Sequence, residues 1–226
     1  MPVQHIAFIL DGNRRWAKAK GLPTFEGHRR GYDNLKTIGL ACLARNVRQI
    51  TAFVFSTENW NRSKEEVSYL MDLLYKAIAE EIGFFVENDV RLKVLGSRER
   101  LSPKLREAIE AAEARTADFR RGQMNLCLNY GGRLEIIDAV KTLAAEGVRP
   151  DQVTEELLKS RMWTAGIPDP DLIVRTSGEH RLSGFLTWSG VYSELLFVDK
   201  HWPDFTEKDL DAAIEEYGNR QRRFGK

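Results

Sequence analysis

Six short runs of β-forming residues, at 5–10, 50–56, 90–95, 124–129, 171–175 and 194–198, alternate with longer stretches of helical periodicity. This alternation constrains the fold more than any other feature. Several of the runs are apolar almost throughout, as strands covered by helices on both faces must be. Helix starts are legible between them. Ser63 followed by Glu66 has capping-box spacing ahead of a long helix expected to run to about Asn88. Ser102 and Pro103 supply an N-cap and an N1 proline, and Thr206 with Asp209 opens the last helix. Alternating β and α elements predict an α/β domain with a central twisted, mostly parallel six-stranded sheet flanked by helices and joined by right-handed crossovers. No repeat, low-complexity tract or linker divides the 226 residues, so one domain over 1–226 is expected.

The bulk numbers narrow the class. A formal charge of +1 lacks the basic excess that nucleic-acid binding would show. Cys42 and Cys127 sit in apolar runs without metal-ligand spacing and read as buried free thiols of a reducing compartment. The first ten residues have no basic segment and too short an apolar stretch for a signal peptide. No run approaches the roughly 20 apolar residues of a membrane span. A cytoplasmic protein is expected, with membrane contact only through its product.

In a doubly wound sheet, ligands bind beyond the carboxyl ends of the strands. Polar clusters stand at those positions. Asp11-Gly12-Asn13-Arg14-Arg15-Trp16 follows the first run, and Ser56-Thr57-Glu58-Asn59-Trp60-Asn61-Arg62 follows the second. Asn129-Tyr130-Gly131-Gly132-Arg133 follows the fourth, and Arg175-Thr176-Ser177-Gly178-Glu179-His180-Arg181 follows the fifth. These four segments are expected to crowd one rim.

The first segment suits an anion. Gly12 permits close backbone approach, and Arg14 and Arg15 can bind phosphate oxygens. Asp11 would repel a bare diphosphate, so it implies an intervening cation. Mg²⁺ fits, since it binds one or two carboxylates together with substrate phosphates. Read alone, Asp11 serves equally as a helix N-cap, whereas His28 in Glu26-Gly27-His28-Arg29-Arg30-Gly31 reads more readily as a structural histidine. Trp60 suits either core packing or the shielding of an apolar ligand. Arg175, Arg181, Leu182 and Ser183 form a candidate clamp for a second diphosphate or a solvated basic loop. Glu194 enters an apolar strand and demands a metal or arginine partner. The apolar face carrying Val67, Leu70, Met71, Leu74, Ile78, Ile82, Phe85 and Val86 reads as core or as one wall of a tunnel. There is no Asp-Asp-x-x-Asp pair, Walker A loop, zinc spacing or nucleophile elbow.

Together these segments resemble the cis-prenyltransferase family, which includes undecaprenyl diphosphate synthases. The resemblance covers nearly the whole chain, adding Gly27-His28, residues 175–185, Glu194-Leu195, Trp202-Pro203-Asp204-Phe205 and the tail Arg223-Phe224-Gly225. It implies condensation of isopentenyl diphosphate with an allylic diphosphate by a Mg²⁺-dependent homodimer. Asp11 would ligate Mg²⁺ and promote departure of the allylic diphosphate. Gly12, Asn13, Arg14, Arg15, Trp16 and His28 would bind that substrate. Ser56, Thr57, Glu58, Trp60 and Arg62 would line the junction of the two substrates, with Asn59 as proton acceptor. Arg175, Arg181, Leu182 and Ser183 would hold isopentenyl diphosphate, and Glu194 would help bind the metal. The tail would reach the partner's site.

Three departures stand out. Thr24 replaces an arginine that helps grip diphosphate in many relatives, with Arg29 or Arg30 as substitutes. Gly184 replaces an asparagine, and Thr187-Trp188-Ser189-Gly190 replaces a Leu-Trp-Gln pattern. The leading expectation is a long cis-polyprenyl carrier synthase of the undecaprenyl type. Alternatives are a short-chain or irregular head-to-middle synthase and a non-catalytic partner subunit, which would lack much of the catalytic set.

Overall fold

A computed structural model describes residues 2–220. Six strands form one sheet: β1 (His5–Ile9), β2 (Gln49–Ser56), β3 (Val90–Leu95), β4 (Gly122–Tyr130), β5 (Leu172–Thr176) and β6 (Glu194–Val198). Their order is β3-β4-β2-β1-β5-β6, and every neighbouring pair is parallel. The sheet is therefore wholly rather than mostly parallel. The expected runs fall on these strands, with β4 starting two residues earlier than read because Gly122 and Gln123 already pair with β3.

Side-chain alternation divides the core. Ile6 and Phe8 of β1 join Ile50, Leu126 and Val174 on one face, while Ala7 and Ile9 join Cys127, Ile173, Phe185 and Leu186 on the other. Both faces bury apolar side chains, which explains why β1 and β5 have no exposed position. β6 is an edge strand and only half-buried.

The helices are α1 (Asn13–Ala19), α2 (Thr24–Ala44), α3 (Lys64–Tyr75), α4 (Gly83–Glu87), α5 (Pro103–Thr116), α6 (Gly132–Ala145), α7 (Glu155–Lys159) and α8 (Glu207–Asn219). Ser102 caps α5 by accepting from the Leu105 amide, and Thr206 with Asp209 forms the box that opens α8. Such caps contribute about 1 kcal/mol each.

The long helix expected to reach Asn88 is broken. α3 passes into a π-helical segment, Lys76–Glu80, and Glu81 leaves helical geometry before α4 restarts at Gly83. Ser63 still caps α3, accepting from Glu66 N, but the Glu66 side chain turns elsewhere. Both cysteines are buried and free. Among the described residues no helix is long and apolar enough to cross a membrane.

Candidate active site

β1 feeds chain toward β2 on one side, and the later crossover places β5 on the other. A crevice opens at such a switch point. Asp11 and Arg175 meet across it: Arg175 Nη2 donates to Asp11 Oδ2 at 2.9 Å. Arg175 is only 4 % exposed. Its Nη1 also donates to Ser183 Oγ at 3.0 Å and to the Arg181 carbonyl, while its Nε–H is buried without a partner.

Asp11 is not the cap of α1. That position belongs to Gly12, at φ +104°, whose amide donates to Asp11 Oδ1 at 2.8 Å. A Cβ on Gly12 would stand 2.7 Å from both His201 Nδ1 and Ser177 Oγ, so only glycine fits. The Asp11 carbonyl accepts from Trp202 N and Thr176 Oγ1, which fixes the turn to the end of β5. Gly27 lets α2 approach α1, since a Cβ there would lie 2.1 Å from the Asn13 carbonyl oxygen.

A cleft of about 1520 Å³ runs from this turn along the strand ends. Asp11, Gly12, Asn13, Arg14, Arg15, His28, Ser56, Thr57, Glu58, Asn59, Arg62, Arg175, Leu182 and Ser183 all line it, as do Gly131, Gly132 and Arg133. The four strand-end segments thus converge as expected. The cleft also has an apolar lobe walled by Leu10, Val54, Leu35, Leu70 and Leu74. Polar rim and apolar lobe share one space.

Glu66 organises the rim and is a residue that sequence reading missed. It is 7 % exposed, and its carboxylate bonds His28 Nε2 and Arg62 Nη1 at 3.1 Å each, with Arg14 at 3.8 Å. The capping-box pattern hid this role, because a helix-start glutamate needs no further explanation. Burial is the largest influence on His28 and pushes it below the usual imidazole range despite its bond to Glu66. Burial also lowers Arg62. Lys18, a cation on the cleft, is a second residue that sequence reading missed.

Asn59 Oδ1 accepts from the Ser56 amide at 3.1 Å and so closes the one-turn 3₁₀ segment Thr57–Asn61. Thr24 lines the cleft where the resemblance led to an arginine, and neither Arg29 nor Arg30 does. Arg29 instead pairs with Glu26 at 2.7 Å on the surface. Arg14, 3.8 Å from Glu66, lines the same cleft. Gly184, at φ +76°, accepts from the Gly132 amide at 2.7 Å and ties the 182–191 loop to α6.

Four expected site residues lie off the cleft. Trp16 donates to Asp204 at 2.8 Å, on the far side of α1. Trp60 packs edge-on against Phe55, donates to Asn129 Oδ1 at 2.7 Å and carries Arg100 over its face, which is a structural joint between β2 and β4. The Arg181 guanidinium pairs with Glu179, which also holds Arg15 at 3.1 Å. Glu194 begins β6, in register with Leu172 and through it with Ile6, and pairs with Arg220 at 2.8 Å. At about 3.3 Å per residue, that is roughly 16 Å down the sheet from Asp11. One chain does not bring these two carboxylates together. The tail Arg223-Phe224-Gly225 lies outside the described residues.

No cluster of three or more His, Cys, Asp or Glu that could hold a metal occurs among the described residues. The rim nevertheless offers hard oxygen donors in the Asp11 carboxylate and in Asn13 Oδ1, which is buried without a hydrogen-bond partner. That set suits Mg²⁺ only when phosphate oxygens complete the shell.

The prenyltransferase family model described as "Putative undecaprenyl diphosphate synthase" matches residues 9–225. The chain belongs to the undecaprenyl diphosphate synthase family. Its relatives in this isoprenyl transferase family include the isoprenyl transferase of Chromobacterium violaceum, 48 % identical over 225 residues that cover 100 % of this chain and 89 % of the relative. The isoprenyl transferase of Thermotoga maritima is 46 % identical, covering 98 % and 96 %. Among solved structures, lavandulyl diphosphate synthase from Lavandula x intermedia, in complex with dimethylallyl diphosphate, superposes with a TM-score of 0.95 at 34 % identity, covering 100 % and 99 %. A probable undecaprenyl diphosphate synthase from Campylobacter jejuni gives 0.84 at 32 % identity, covering both chains fully.

Proposed function

We propose that the chain is a catalytically active cis-prenyltransferase that condenses isopentenyl diphosphate with an allylic diphosphate into a cis-polyprenyl diphosphate of the undecaprenyl type. The observation that carries this reading is the continuity of a cationic rim, Arg14, Arg15, Arg62 and Arg175, with an apolar lobe in one cleft of about 1520 Å³. The head of the allylic substrate binds at Asp11–Arg15 and its tail enters between α2 and α3. Isopentenyl diphosphate binds by Arg175, Leu182 and Ser183.

The allylic C–O bond breaks and the diphosphate departs with the bonding pair. The π electrons of isopentenyl diphosphate form the new C–C bond, and loss of a proton leaves a cis double bond. Arg14, Arg15 and Arg62 stabilise the departing charge. Asp11 and Asn13 would hold Mg²⁺ together with substrate phosphates, and the ion would supply further charge stabilisation at the leaving group. Asn59 is a neutral amide whose oxygen already accepts from Ser56. It positions the proton's path, and the released diphosphate or a water takes the proton. Each added isoprenyl unit buries about four or five carbons, at ~0.8 kcal/mol per CH₂-sized group.

In this reading the enzyme works in the cytoplasm as a Mg²⁺-dependent homodimer and meets membranes through its lipid product. The non-catalytic subunit reading loses support from Asp11, Asn59, Arg175 and Arg181, all present. A head-to-middle synthase draws support from the likeness to lavandulyl diphosphate synthase. Purified protein with Mg²⁺, labelled isopentenyl diphosphate and farnesyl or dimethylallyl diphosphate separates these readings by product mass. Successive isoprenyl additions support elongation. A product formed from dimethylallyl diphosphate alone, without elongation, replaces it with the head-to-middle reaction.

A further inference from the structure

The turn between α1 and α2 concentrates charge that the chain as a whole hides. Residues 13–30 hold six arginines and lysines against one acid, Glu26, a net +5 that leaves −4 for the rest of a chain of formal charge +1. Arg14 and Arg15 belong to the cleft rim, and Arg29 is taken up by Glu26 and Asp33. Lys18, Lys20 and Arg30 remain exposed and form no ion pair among the described residues. Lys18 lines the cleft, whereas Lys20 Nζ lies 5.0 Å over the Trp16 ring centroid, toward the opposite side of α1.

Next to these cations the chain exposes apolar side chains. Leu22 is 42 % exposed and Phe25 39 %, with Pro23 exposed between them. Phe25 stacks on Tyr69 of α3 at 4.5 Å between ring centroids, and the Tyr69 hydroxyl donates to the Phe25 carbonyl at 3.2 Å. The tip stands clear of the body: Gly21 turns it at φ +66°, with nothing within 4 Å of where a Cβ would lie, and Pro23 at φ −57° leads into α2. Scattered exposed leucines are ordinary. Here apolar and aromatic groups share one tip with cations on both sides, and Leu22, Pro23 and Thr24 also line the cleft.

We infer that this turn is a membrane-docking element of the protein itself, and that its partner is an anionic lipid bilayer. Lys18, Lys20 and Arg30 meet the headgroup phosphates. Leu22, Pro23 and Phe25 enter the boundary between headgroups and acyl chains, a level that also suits the amphipathic ring of Tyr69. A second copy of the chain would set +5 against +5, so charge opposes self-association through the tip. Docking brings one lip of the cleft to the lipid surface. Its use in handing over a lipid product rests on the chain-elongating reading above, whereas the docking itself does not.

The test is sedimentation of the full-length chain, without substrates, with vesicles of phosphatidylcholine alone or mixed equally with phosphatidylglycerol. The mixed vesicles should carry the protein down and the neutral ones should not, and added salt should weaken the binding by screening. Lys20→Glu should weaken binding to the mixed vesicles by at least about fivefold, the scale of one cation at an anionic surface, and Leu22→Asp by at least as much. Val153→Asp, at an exposed apolar residue outside the cleft lining, should leave it unchanged. Thermal melts check that the variants fold, and should Leu22→Asp not fold, Lys20→Glu decides. No binding to the mixed vesicles, binding that neither variant weakens, or binding that appears only with added polyprenyl diphosphate overturns the inference. A tip variant that changes the oligomeric state while vesicle binding persists overturns it too, in favour of contact between copies. Product mass is measured separately, so the functional reading can fail while docking stands.

Discussion

The two ends of the same strands carry two buried polar networks, and they are built differently. At the amino end, His5 is 2 % exposed and both ring nitrogens are engaged, Nδ1 with the Pro168 carbonyl and Nε2 with Thr51 Oγ1, each at 2.7 Å. Thr51 Oγ1 in turn accepts from Asn125 Nδ2 at 3.0 Å. Donors and acceptors match along this chain, so it is complete without a ligand. At the carboxyl end, the Asp11 and Glu66 carboxylates gather Arg175, Arg15, Arg62 and Arg14 around a cleft. Two of the three orphaned buried side-chain atoms among the described residues, Asn13 Oδ1 and Arg175 Nε, lie there. The third, Gln49 Oε1, belongs to the other end. A buried polar atom without a partner costs about 1–3 kcal/mol. A saturated network holds strands in register, whereas an incomplete one beside a cleft leaves the Arg175 Nε–H free to donate to an oxygen and Asn13 Oδ1 free to take a donor or a cation.

That contrast breaks most visibly at Asp11. Asp11→Asn should lower turnover about 10³-fold, on the scale of removing one preorganised electrostatic group, while melting stays cooperative. Labelled isopentenyl incorporation beside a thermal melt checks this, and near-normal turnover would return Asp11 to a structural role.

The next effect belongs to the saturated end. Burial holds His5 at about 4, below its ordinary 6.5, against the raising influence of the Pro168 carbonyl, Asp171 and Asp169. The unfolded chain therefore takes up the proton first as pH falls. The contribution is complete above about 6.5 and declines toward 4, a loss of about 3 kcal/mol for a shift of this size. Urea melts from pH 7 to pH 4 should show this slope, and His5→Gln should flatten it. An equal slope in the variant would assign the effect elsewhere.

A smaller effect is expected at Glu66. Glu66→Gln loosens His28, Arg62 and Arg14 together and should cost about 2 kcal/mol of allylic-substrate binding, roughly 30-fold in KM, with kcat changed less. Steady-state kinetics at fixed isopentenyl diphosphate separates the two constants. Smallest of all is Trp60→Phe, which removes one hydrogen bond to Asn129 and should cost about 1 kcal/mol of stability. Its turnover should stay near that of the unaltered chain. A large loss of turnover without loss of stability would put Trp60 back among the substrate contacts.

Much of the carboxyl-end site was legible because strand position and residue chemistry are both local. Asp11, Arg62 and Arg175 follow apolar runs, and a parallel sheet brings such ends to one rim. The unread parts depend on distant partners. Glu66 looked like the second half of a capping box, although its carboxylate bonds His28, 38 residues away. Trp60 sits inside a polar segment, but its indole turns to Asn129 on β4. The helix break at Glu81 has no proline to announce it, and its partner Tyr32 lies 49 residues earlier. Glu194 suits a metal site only by residue type. Its place at the start rather than the end of β6 is what sets it apart from Asp11.

The cleft joins strand-end loops to a helix pair. In the proposed reading, loops at the strand ends would hold the diphosphates, whereas helices α2 and α3 would bound the tail. The two jobs fall to separate stretches of chain that meet in one cleft. Substitutions along α2 and α3 would then alter tail accommodation while the phosphate-gripping turns stay untouched. In that reading the frame would separate the grip on charge from the accommodation of hydrocarbon, although both face one cleft.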